Sequence, residues 1–253
     1  MSKITSTYQL HYNPNKKEYA GQFTKYREQM DYDFFTNYTI ERQEVQDEIM
    51  AKFANKSPNL IRSPQLIFTC GCFGAGKSHS IKYLNSMGLI NVKDYIYIDP
   101  DNIKRQLPEW GEYIIKDPNN VGSLLHTESM YISLLLQYIC LDRGYQIIVD
   151  GSMRDYSWYL KHFAWVNQIY PHYKIGIFYI RASLSNILRR CEKRGLLTGR
   201  IIAPNMIREI YPTTQISFDK LKPCADFHMI IENNEMTEII EFGNHPVPRM
   251  KEN

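Results

Sequence analysis

The feature that most constrains the fold of this chain is a glycine-rich segment that directly follows a short apolar run. Residues 71–78 read Gly-Cys-Phe-Gly-Ala-Gly-Lys-Ser, and Leu-Ile-Phe occupies positions 66–68. This is the spacing of a phosphate-binding loop between a strand and a helix. Its glycines let successive backbone N–H groups turn toward one phosphate, and the helix N-terminus that follows also favours anions. The segment therefore predicts a nucleotide site rather than a glycine-rich turn without function.

The side chains of this loop predict how a triphosphate is held. Lys77 places a positive charge near the β- and γ-phosphates, and Ser78 offers a hydroxyl to a magnesium ion. We therefore expect the chain to bind ATP and Mg²⁺. The residues expected to hold the nucleotide are Gly71, Cys72, Phe73, Gly74, Ala75, Gly76, Lys77, Ser78 and His79.

Short apolar runs that alternate with helical stretches extend the prediction to the rest of the chain. The runs are apolar throughout, as in parallel strands buried on both faces, and the alternation is typical of a doubly wound sheet. The predicted strands are Gln65–Thr69, Tyr95–Ile98, Gln146–Val149, Lys174–Ile180 and His228–Ile231. The predicted helices are Glu41–Phe53, Ser78–Ser86, Glu128–Leu141, Trp158–Ile169 and Leu184–Lys193. The sequence thus predicts an α/β P-loop NTPase/kinase fold, with a five-stranded parallel sheet sandwiched by helices.

Composition divides the chain into three predicted parts. Residues 1–60 are polar and rich in tyrosine, and we expect them to form a helical N-terminal extension that packs on the core. Residues 61–240 form the predicted P-loop domain, and residues 241–253 form a C-terminal tail. The length of 253 residues is enough for one large domain with a well-buried core.

Charge, cysteine content and hydropathy bound the environment of the protein. The net charge of +3 is too small to indicate a nucleic-acid scaffold. The five cysteines are odd in number, and the spacing of Cys70 and Cys72 suits neither zinc nor a redox pair, which favours a reducing compartment. No apolar run approaches the ~20 residues that span a bilayer, and the first residues lack an apolar signal core. We expect a cytoplasmic protein without membrane contact, and delivery as a secreted effector is the alternative.

Two acids follow the second predicted strand, at the sheet edge where ligands bind in such folds. Asp99 and Asp101 flank a proline that fixes the turn between them. Transfer of a phosphoryl group to a hydroxyl needs a carboxylate that orients the hydroxyl and accepts its proton. The alternative role for either acid is to cap the helix that begins after it. Spacing alone leaves both roles open.

Further candidates for the site follow the third predicted strand. A carboxylate at Asp150, beside the phosphate loop, is placed to hold magnesium together with Ser78 or to contact the substrate. The alternative is an aspartate that caps a turn. Glu128 opens the helix before this strand and is either a site residue or a helix-start residue. The expected substrate-site residues are Asp99, Asp101, Glu128, Asp150, Ser152 and Arg154.

Basic residues gather after the fourth predicted strand and lead into a stretch bounded by Gly195 and Gly199. Such a segment suits a mobile lid whose arginines close over the triphosphate and stabilise charge on the transferring group. The alternative is a solvated helix face. The cluster consists of Arg189, Arg190, Lys193, Arg194 and Arg200, with only Glu192 opposing it.

Together these motifs resemble the zeta-toxin family of small-molecule kinases. The resemblance rests on the phosphate loop, the Asp99-Pro-Asp101 turn, the stretch Arg143-Gly-Tyr-Gln-Ile-Ile-Val-Asp-Gly-Ser-Met-Arg154 and the Arg190…Thr198-Gly-Arg200 lid. Bacterial zeta toxins use ATP to phosphorylate the 3′-hydroxyl of the sugar in UDP-N-acetylglucosamine, and relatives phosphorylate other acceptors, including the adenosine ribose of NAD. The resemblance implies an ATP-dependent kinase for a nucleotide-linked or other small metabolite. It also implies a toxin or effector and, in bacterial systems, a small antitoxin partner.

The resemblance assigns roles to particular residues. The family's catalytic base is the second acid of its Asp-x-Asp turn, which falls on Asp101, and its lid arginines fall on Arg200 and Arg190. The lid is shorter here than in the type members, so Arg189 and Arg194 are also candidates. Asp150 stands where the family has a glutamate, and Ser152 takes the place of a threonine that helps to bind the acceptor. The implied catalytic set is Asp101, Arg190, Arg200 and Lys77.

Two other functions compete with a small-molecule kinase. A polynucleotide kinase would use the same reaction on a 5′-hydroxyl end of RNA or DNA, and it would need an electropositive groove for a strand. A non-catalytic nucleotide switch would need neither the Asp99/Asp101 pair nor the lid arginines. The sequence therefore favours a small-molecule acceptor over nucleic acid, and an enzyme over a switch.

Overall fold

One mixed β-sheet forms the centre of the protein. The structure, a computed structural model, describes residues 4–14, 18–55, 62–199 and 201–244. The strands are β1 (Gln65–Cys70), β2 (Tyr95–Ile98), β3 (Gln146–Val149), β4 (Lys174–Arg181), β5 (Phe227–Asn233) and β6 (Thr237–Asn244). Their spatial order is β2-β3-β1-β4-β5-β6. Strands β1 to β5 are parallel, and β6 pairs antiparallel to β5.

The five predicted strands are confirmed to within a few residues, and the sheet has one more. The sixth strand was not predicted because it lies at the edge, where most of its side chains are exposed and no buried apolar run marks it. The expected tail boundary at residue 241 falls inside this strand, so residues 241–244 belong to the sheet. Residues 245–253 lie outside the described residues.

Helices cover both faces of the sheet. They are α1 (Thr7–Leu10), α2 (Thr24–Arg27), α3 (Ile40–Ala54), α4 (Lys77–Ser86), α5 (Pro100–Gln106), α6 (Trp110–Lys116), α7 (Val121–Leu124), α8 (His126–Asp142), α9 (Tyr156–Ile169), α10 (Leu184–Thr198) and α11 (Pro204–Leu221). All five predicted helices are present. The longest, α11, was not predicted, because Pro212 and two threonines interrupt its pattern.

The two faces of the sheet bury separate apolar clusters. Along β1, Leu66 and Phe68 join the cluster that contains α3, α8 and α9, whereas Ile67 joins the cluster that contains α4 and α10. Both faces of the strand are therefore buried, which is why the apolar runs show no alternation.

Residues before β1 pack on the sheet core. Tyr38 lies 5.0 Å from Tyr131 of α8 between ring centroids, and Ile49 and Phe53 of α3 belong to the same apolar cluster as the sheet. Residues 56–61, which span the predicted boundary between the extension and the P-loop domain, lie outside the described residues.

One helix crosses the carboxyl end of β1. The thiol of Cys70 lies 3.5 Å from the carbonyl oxygen of Thr214, and that of Cys72 lies 3.8 Å from the carbonyl oxygen of Ile207. Helix α11 therefore packs along one side of the loop that follows β1. Among the described residues, no helix combines the length and apolarity needed to cross a membrane.

Candidate active site

The predicted phosphate loop connects β1 to α4, and its shape requires glycine. Gly71 and Gly76 have φ angles of 149° and 92°, in the region that other residues rarely adopt. A Cβ atom at Gly71 would collide with the carbonyl oxygen of Ile180, and one at Gly76 would collide with the side chain of Asn233. The loop therefore packs closely against the carboxyl ends of β4 and β5.

The side chain of Lys77 lies folded onto this loop. Its Nζ donates to the carbonyl oxygens of Gly71 and Cys72, at 3.3 and 3.5 Å. Ser78 and His79 are exposed in the first turn of α4. Contacts of this length are weak, so the ammonium can exchange them for charge-assisted bonds to phosphate oxygens.

Asp150 lies where three strands end. Its backbone N–H donates to the carbonyl of Ile98 over 2.8 Å. The hydroxyl of Thr69 donates to Oδ1 over 2.6 Å, and the phenol of Tyr97 donates to Oδ2 over 3.2 Å. The Thr69 hydroxyl also accepts from the backbone N–H of Gly151, at 3.0 Å. Asp150 is thus a fixed carboxylate at the base of the phosphate loop, and not only a turn cap.

The oxygen atoms of Asp150 and Ser78 suit a magnesium ion. The Tyr97 phenol contacts Asp150 and is also close enough to the Ser78 hydroxyl to interact with it. Magnesium is usually bound through one or two carboxylates, substrate phosphates and water. Asp150 and Ser78 could therefore hold it beside a triphosphate. Among the described residues there is no group of three or more His, Cys, Asp or Glu side chains that could form a metal cage.

Asp99 and Asp101 have different surroundings although they share one turn. Asp99 is the N-cap of α5, and its Oδ1 accepts from the backbone N–H of Asp101 over 2.8 Å. Burial raises the pKa of Asp99, and the nearby charges of Asp150 and Asp101 raise it further. Asp101 sits one residue inside the helix, and its Oδ1 accepts from Nζ of Lys104 at 3.2 Å. The capping alternative therefore applies to Asp99, while Asp101 keeps part of its carboxylate exposed.

The segment after Asp150 is tied down on both sides. The carbonyl of Ser152 accepts from the backbone N–H of Gly71 at 3.4 Å, and the carbonyl of Arg154 accepts from the Ser217 hydroxyl at 3.1 Å. Between them, buried Met153 has a φ of 53°, a strained value for a side chain of this size. The fold holds this strained turn against the phosphate loop, with the Arg154 side chain exposed.

The expected substrate role of Glu128 is corrected by its burial. Its side chain is fully buried, and its two oxygens accept from Nε and Nη2 of Arg42 at 2.6 and 2.8 Å. Gln46 donates to the same carboxylate over 2.8 Å. The carboxylate has no surface for a ligand, because it neutralises an arginine from α3. Its role is to join the N-terminal extension to α8.

The arginines of the predicted lid occupy different places. Arg190 donates to the carbonyls of Asn233 at 2.8 Å and Asn234 at 2.6 Å, and it lies 3.5 Å from the carbonyl of Ala75. It therefore flanks the phosphate loop, with its guanidinium on backbone carbonyls. Arg189 and Arg194 are exposed on α10, while Arg200 lies outside the described residues. The lid role of Arg190 and Arg200 stays a prediction.

The chain matches the model of a known family. The Zeta toxin family model matches residues 46–244, which include the phosphate loop, the Asp99–Asp101 turn, Asp150 and α10. The chain belongs to the zeta toxin family. The zeta toxin domain and the fold together make the protein a nucleotide-binding P-loop kinase, a phosphotransferase.

Two solved structures have the fold of this zeta toxin domain. One is from the PezAT chromosomal toxin–antitoxin system of Streptococcus pneumoniae, with a TM-score of 0.66 and 15% identity over 81% of this chain and 83% of that chain. The other is AvrRxo1-ORF1:-ORF2 with ATP, with a TM-score of 0.64 and 13% identity over 96% of this chain and 79% of that chain. The second match extends into the N-terminal extension. No curated protein sequence matches the chain significantly.

Several residues of the candidate site were not predicted from the sequence. Thr69 and Tyr97 orient Asp150, Asn233 holds the phosphate loop, and Lys104 contacts Asp101. Thr69, Tyr97 and Asn233 lie in the last residues of parallel strands, where site residues gather. That position was the available signal for these three residues. Lys104 lies on a helix and not at a strand end, so its position in the sequence did not mark it as a site residue.

Proposed function

We propose that this kinase transfers the γ-phosphate of ATP to a hydroxyl of a nucleotide-linked small metabolite. UDP-N-acetylglucosamine and NAD-like dinucleotides are the leading acceptor classes, as the family resemblance implies. The observation that carries the proposal is an acidic cluster in which Asp101 shares one turn with Asp99, and Asp99 lies within electrostatic reach of Asp150 at the base of the phosphate loop. Transfer to a hydroxyl needs such a carboxylate, whereas holding a nucleotide does not.

In the proposed reaction, Asp101 accepts the proton of the acceptor hydroxyl. The hydroxyl oxygen forms a bond to the γ-phosphorus, the bond from that phosphorus to the β,γ-bridging oxygen breaks, and ADP leaves. Lys77 and the loop N–H groups bind the phosphate oxygens, and Arg190 and Arg200 are assigned to charge that develops on the transferring group. Ser78 and Asp150 would hold magnesium, which would neutralise charge on the β- and γ-phosphates.

The acceptor is assigned to the side of the cluster formed by the segment after β3. Ser152 is tied to the phosphate loop through its backbone, because its carbonyl accepts from the N–H of Gly71 over 3.4 Å, and its hydroxyl is assigned to the acceptor. Arg154 is exposed at the rim and supplies a cation for the diphosphate of a nucleotide-linked acceptor. Asp99, which caps α5, is assigned to orient the acceptor beside Asp101.

The variant Asp101→Asn tests the proposal. A loss of about 10²–10⁴-fold in transfer is expected with nearly unchanged ATP affinity, because the amide keeps the shape but cannot accept the proton. Transfer of labelled phosphate is measured with UDP-N-acetylglucosamine, NAD and a 5′-hydroxyl oligonucleotide, and ATP affinity by calorimetry. Asp219→Asn, an exposed position on α11, is the control. Wild-type turnover in Asp101→Asn would contradict the base assignment, and preferential labelling of the oligonucleotide would replace the acceptor class.

We also propose that the protein is a toxin with an inhibitory protein partner. The support is family membership and the similar fold of a protein from a toxin–antitoxin system. Expression of the wild-type chain in bacteria is expected to arrest growth, while Lys77→Ala, which lacks the phosphate-binding cation, is expected to be tolerated. Equal growth of the two strains would contradict toxicity in that host. A co-expressed protein that restores growth and co-purifies with the chain would identify the partner.

A further inference from the structure

A buried lysine accompanies the proposed catalytic base. Lys104 is only 4% exposed, yet its ammonium lies 3.2 Å from Oδ1 of Asp101, one turn earlier in α5. The pair Glu112 and Lys116 on the next helix shows the ordinary alternative, since both of its side chains are more than half exposed. Surface pairs of this kind contribute only a few tenths of a kcal/mol. Burying an ammonium is unfavourable, so this lysine calls for an explanation beyond helix stability.

The charges around Asp101 supply that explanation. The Asp99 carboxylate accepts from the backbone N–H of Asp101, and Asp99 lies within electrostatic reach of Asp150. Neighbouring carboxylates oppose each other's ionisation. A bound triphosphate adds more negative charge at the same place. A general base must nevertheless be ionised before it can accept a proton.

The carboxylates that the helices packed against α5 bring to this side are already paired. Helix α8 brings Glu128 to this side, and α6 is preceded by Glu109, but both carboxylates are held by Arg42. His11 also contacts Glu109, at 2.9 Å. The charge of Arg42 is therefore committed to that network.

We propose that Lys104 is a positioning residue for phosphoryl transfer, which fixes the Asp101 carboxylate and holds it in the ionised state. This inference rests on the proposed role of Asp101. The ammonium acts through its 3.2 Å contact to Oδ1 and sets which way the carboxylate faces.

The pH dependence of kcat/KM tests this role, measured with the acceptor that the wild-type enzyme phosphorylates best. Removal of an opposite charge at this distance shifts the ionisation of a carboxylate by roughly one pH unit or more. In Lys104→Met, the fall of kcat/KM on the acid side should begin at a pH higher by about that amount. The loss of kcat/KM relative to the wild type is then about tenfold or more at acid pH and smaller at alkaline pH. Lys104→Arg, which keeps the charge, should restore the wild-type profile. Arg105→Met, which removes an exposed cation from the same helix, should leave it in place.

The outcomes separate this inference from the proposed function. If Asp101→Asn is inactive while Lys104→Met keeps the wild-type profile, the positioning role is overturned and the base assignment stands. If Asp101→Asn is active, the base assignment itself fails. Circular dichroism and ATP affinity show whether Lys104→Met is folded, and Lys104→Gln replaces it if it is not. If both variants unfold while Lys104→Arg is folded, the role of Lys104 is structural and the inference is overturned.

Discussion

The side chain of Asn233 donates a 2.7 Å hydrogen bond to the carbonyl of Ala75, and so joins the end of β5 to the middle of the phosphate loop. The two residues are far apart in sequence, and both are buried. Arg190 reinforces the same junction through the carbonyl of Asn233. The shape of the nucleotide site therefore depends on the last strand of the parallel sheet as well as on the loop's own glycines.

Asn233→Ala is expected to weaken ATP binding and to lower stability. The variant leaves the Ala75 carbonyl with only the longer contact from Arg190, and an unsatisfied buried polar group costs about 1–3 kcal/mol. Urea unfolding measures the stability, and calorimetry with a non-hydrolysable ATP analogue measures the affinity. Asn205→Ala, at an exposed position of α11, is the matched control. Equal affinities in the two variants would show that the junction does not shape the site.

Thr69→Val tests whether the orientation of Asp150 matters for transfer. The buried hydroxyl donates to Asp150 and accepts from the N–H of Gly151, so its loss leaves two polar groups without this partner. A fall in kcat/KM between about tenfold and 10²-fold is expected, because small displacements of a site group are costly. Thr69→Ser keeps the hydroxyl and should retain most of the activity. Steady-state kinetics of the two variants at one pH are sufficient. Similar losses in both would point to packing and not to the hydroxyl.

The strands of the core could be predicted because strands buried on both faces have an apolar local composition. β1 and β4 are apolar on both faces, and their predicted bounds agree with the structure to within one residue. β6 carries exposed apolar residues such as Phe242 together with glutamates, so nothing local distinguishes it from a polar tail. Its place is set by pairing with β5, which composition does not reveal.

Site residues were predictable where a motif fixes a spacing, and not where tertiary burial decides. Asp99, Asp101 and Asp150 were proposed as site residues because they follow strands, and the fold brings Asp99 within electrostatic reach of both other carboxylates. Glu128 was assigned to the site because its partner Arg42 lies 86 residues away, and only the fold shows that the two neutralise each other. The buried position of Lys104 beside Asp101 has the same origin, since helical spacing predicts contact but not burial.

Arg42→Met is expected to be among the most destabilising substitutions in the chain. Arg42 is almost fully buried and contacts the carboxylates of Glu128 and Glu109, so its removal leaves Glu128 charged in the interior. Breaking such a pair typically costs about 3–5 kcal/mol. Chemical denaturation measures the loss. The double variant Arg42→Met/Glu128→Leu removes both charges and should be more stable than Arg42→Met alone, whereas additive losses would contradict this account.

Two N-cap aspartates, Asp99 and Asp155, should change the stability of the fold with pH in opposite directions. Burial, followed by the charges of Asp150 and Asp101, raises the pKa of Asp99 above its ordinary value. The folded state therefore binds this proton more tightly, and the resulting stabilisation is present in full below about pH 3.8 and is lost as pH rises through the folded pKa. For Asp155, the N-cap of α9, a hydrogen bond from Ser157 lowers the pKa. Its contribution is present above about pH 3.8 and is lost as pH falls through the folded pKa.

Asparagine at each of these caps tests the two signs. It keeps a capping oxygen and removes the charge. At pH 7, Asp99→Asn should raise the midpoint of thermal unfolding because it removes repulsion from Asp101 and Asp150, while Asp155→Asn should lower it. Both differences should shrink as the pH is lowered toward 4 and below, because the wild-type carboxylates then take up protons. Calorimetric scans at pH 7 and at two acidic values follow the change. If both variants shifted the midpoint in the same direction, capping and not charge repulsion in the acidic cluster would govern the stability of the turn at Asp99.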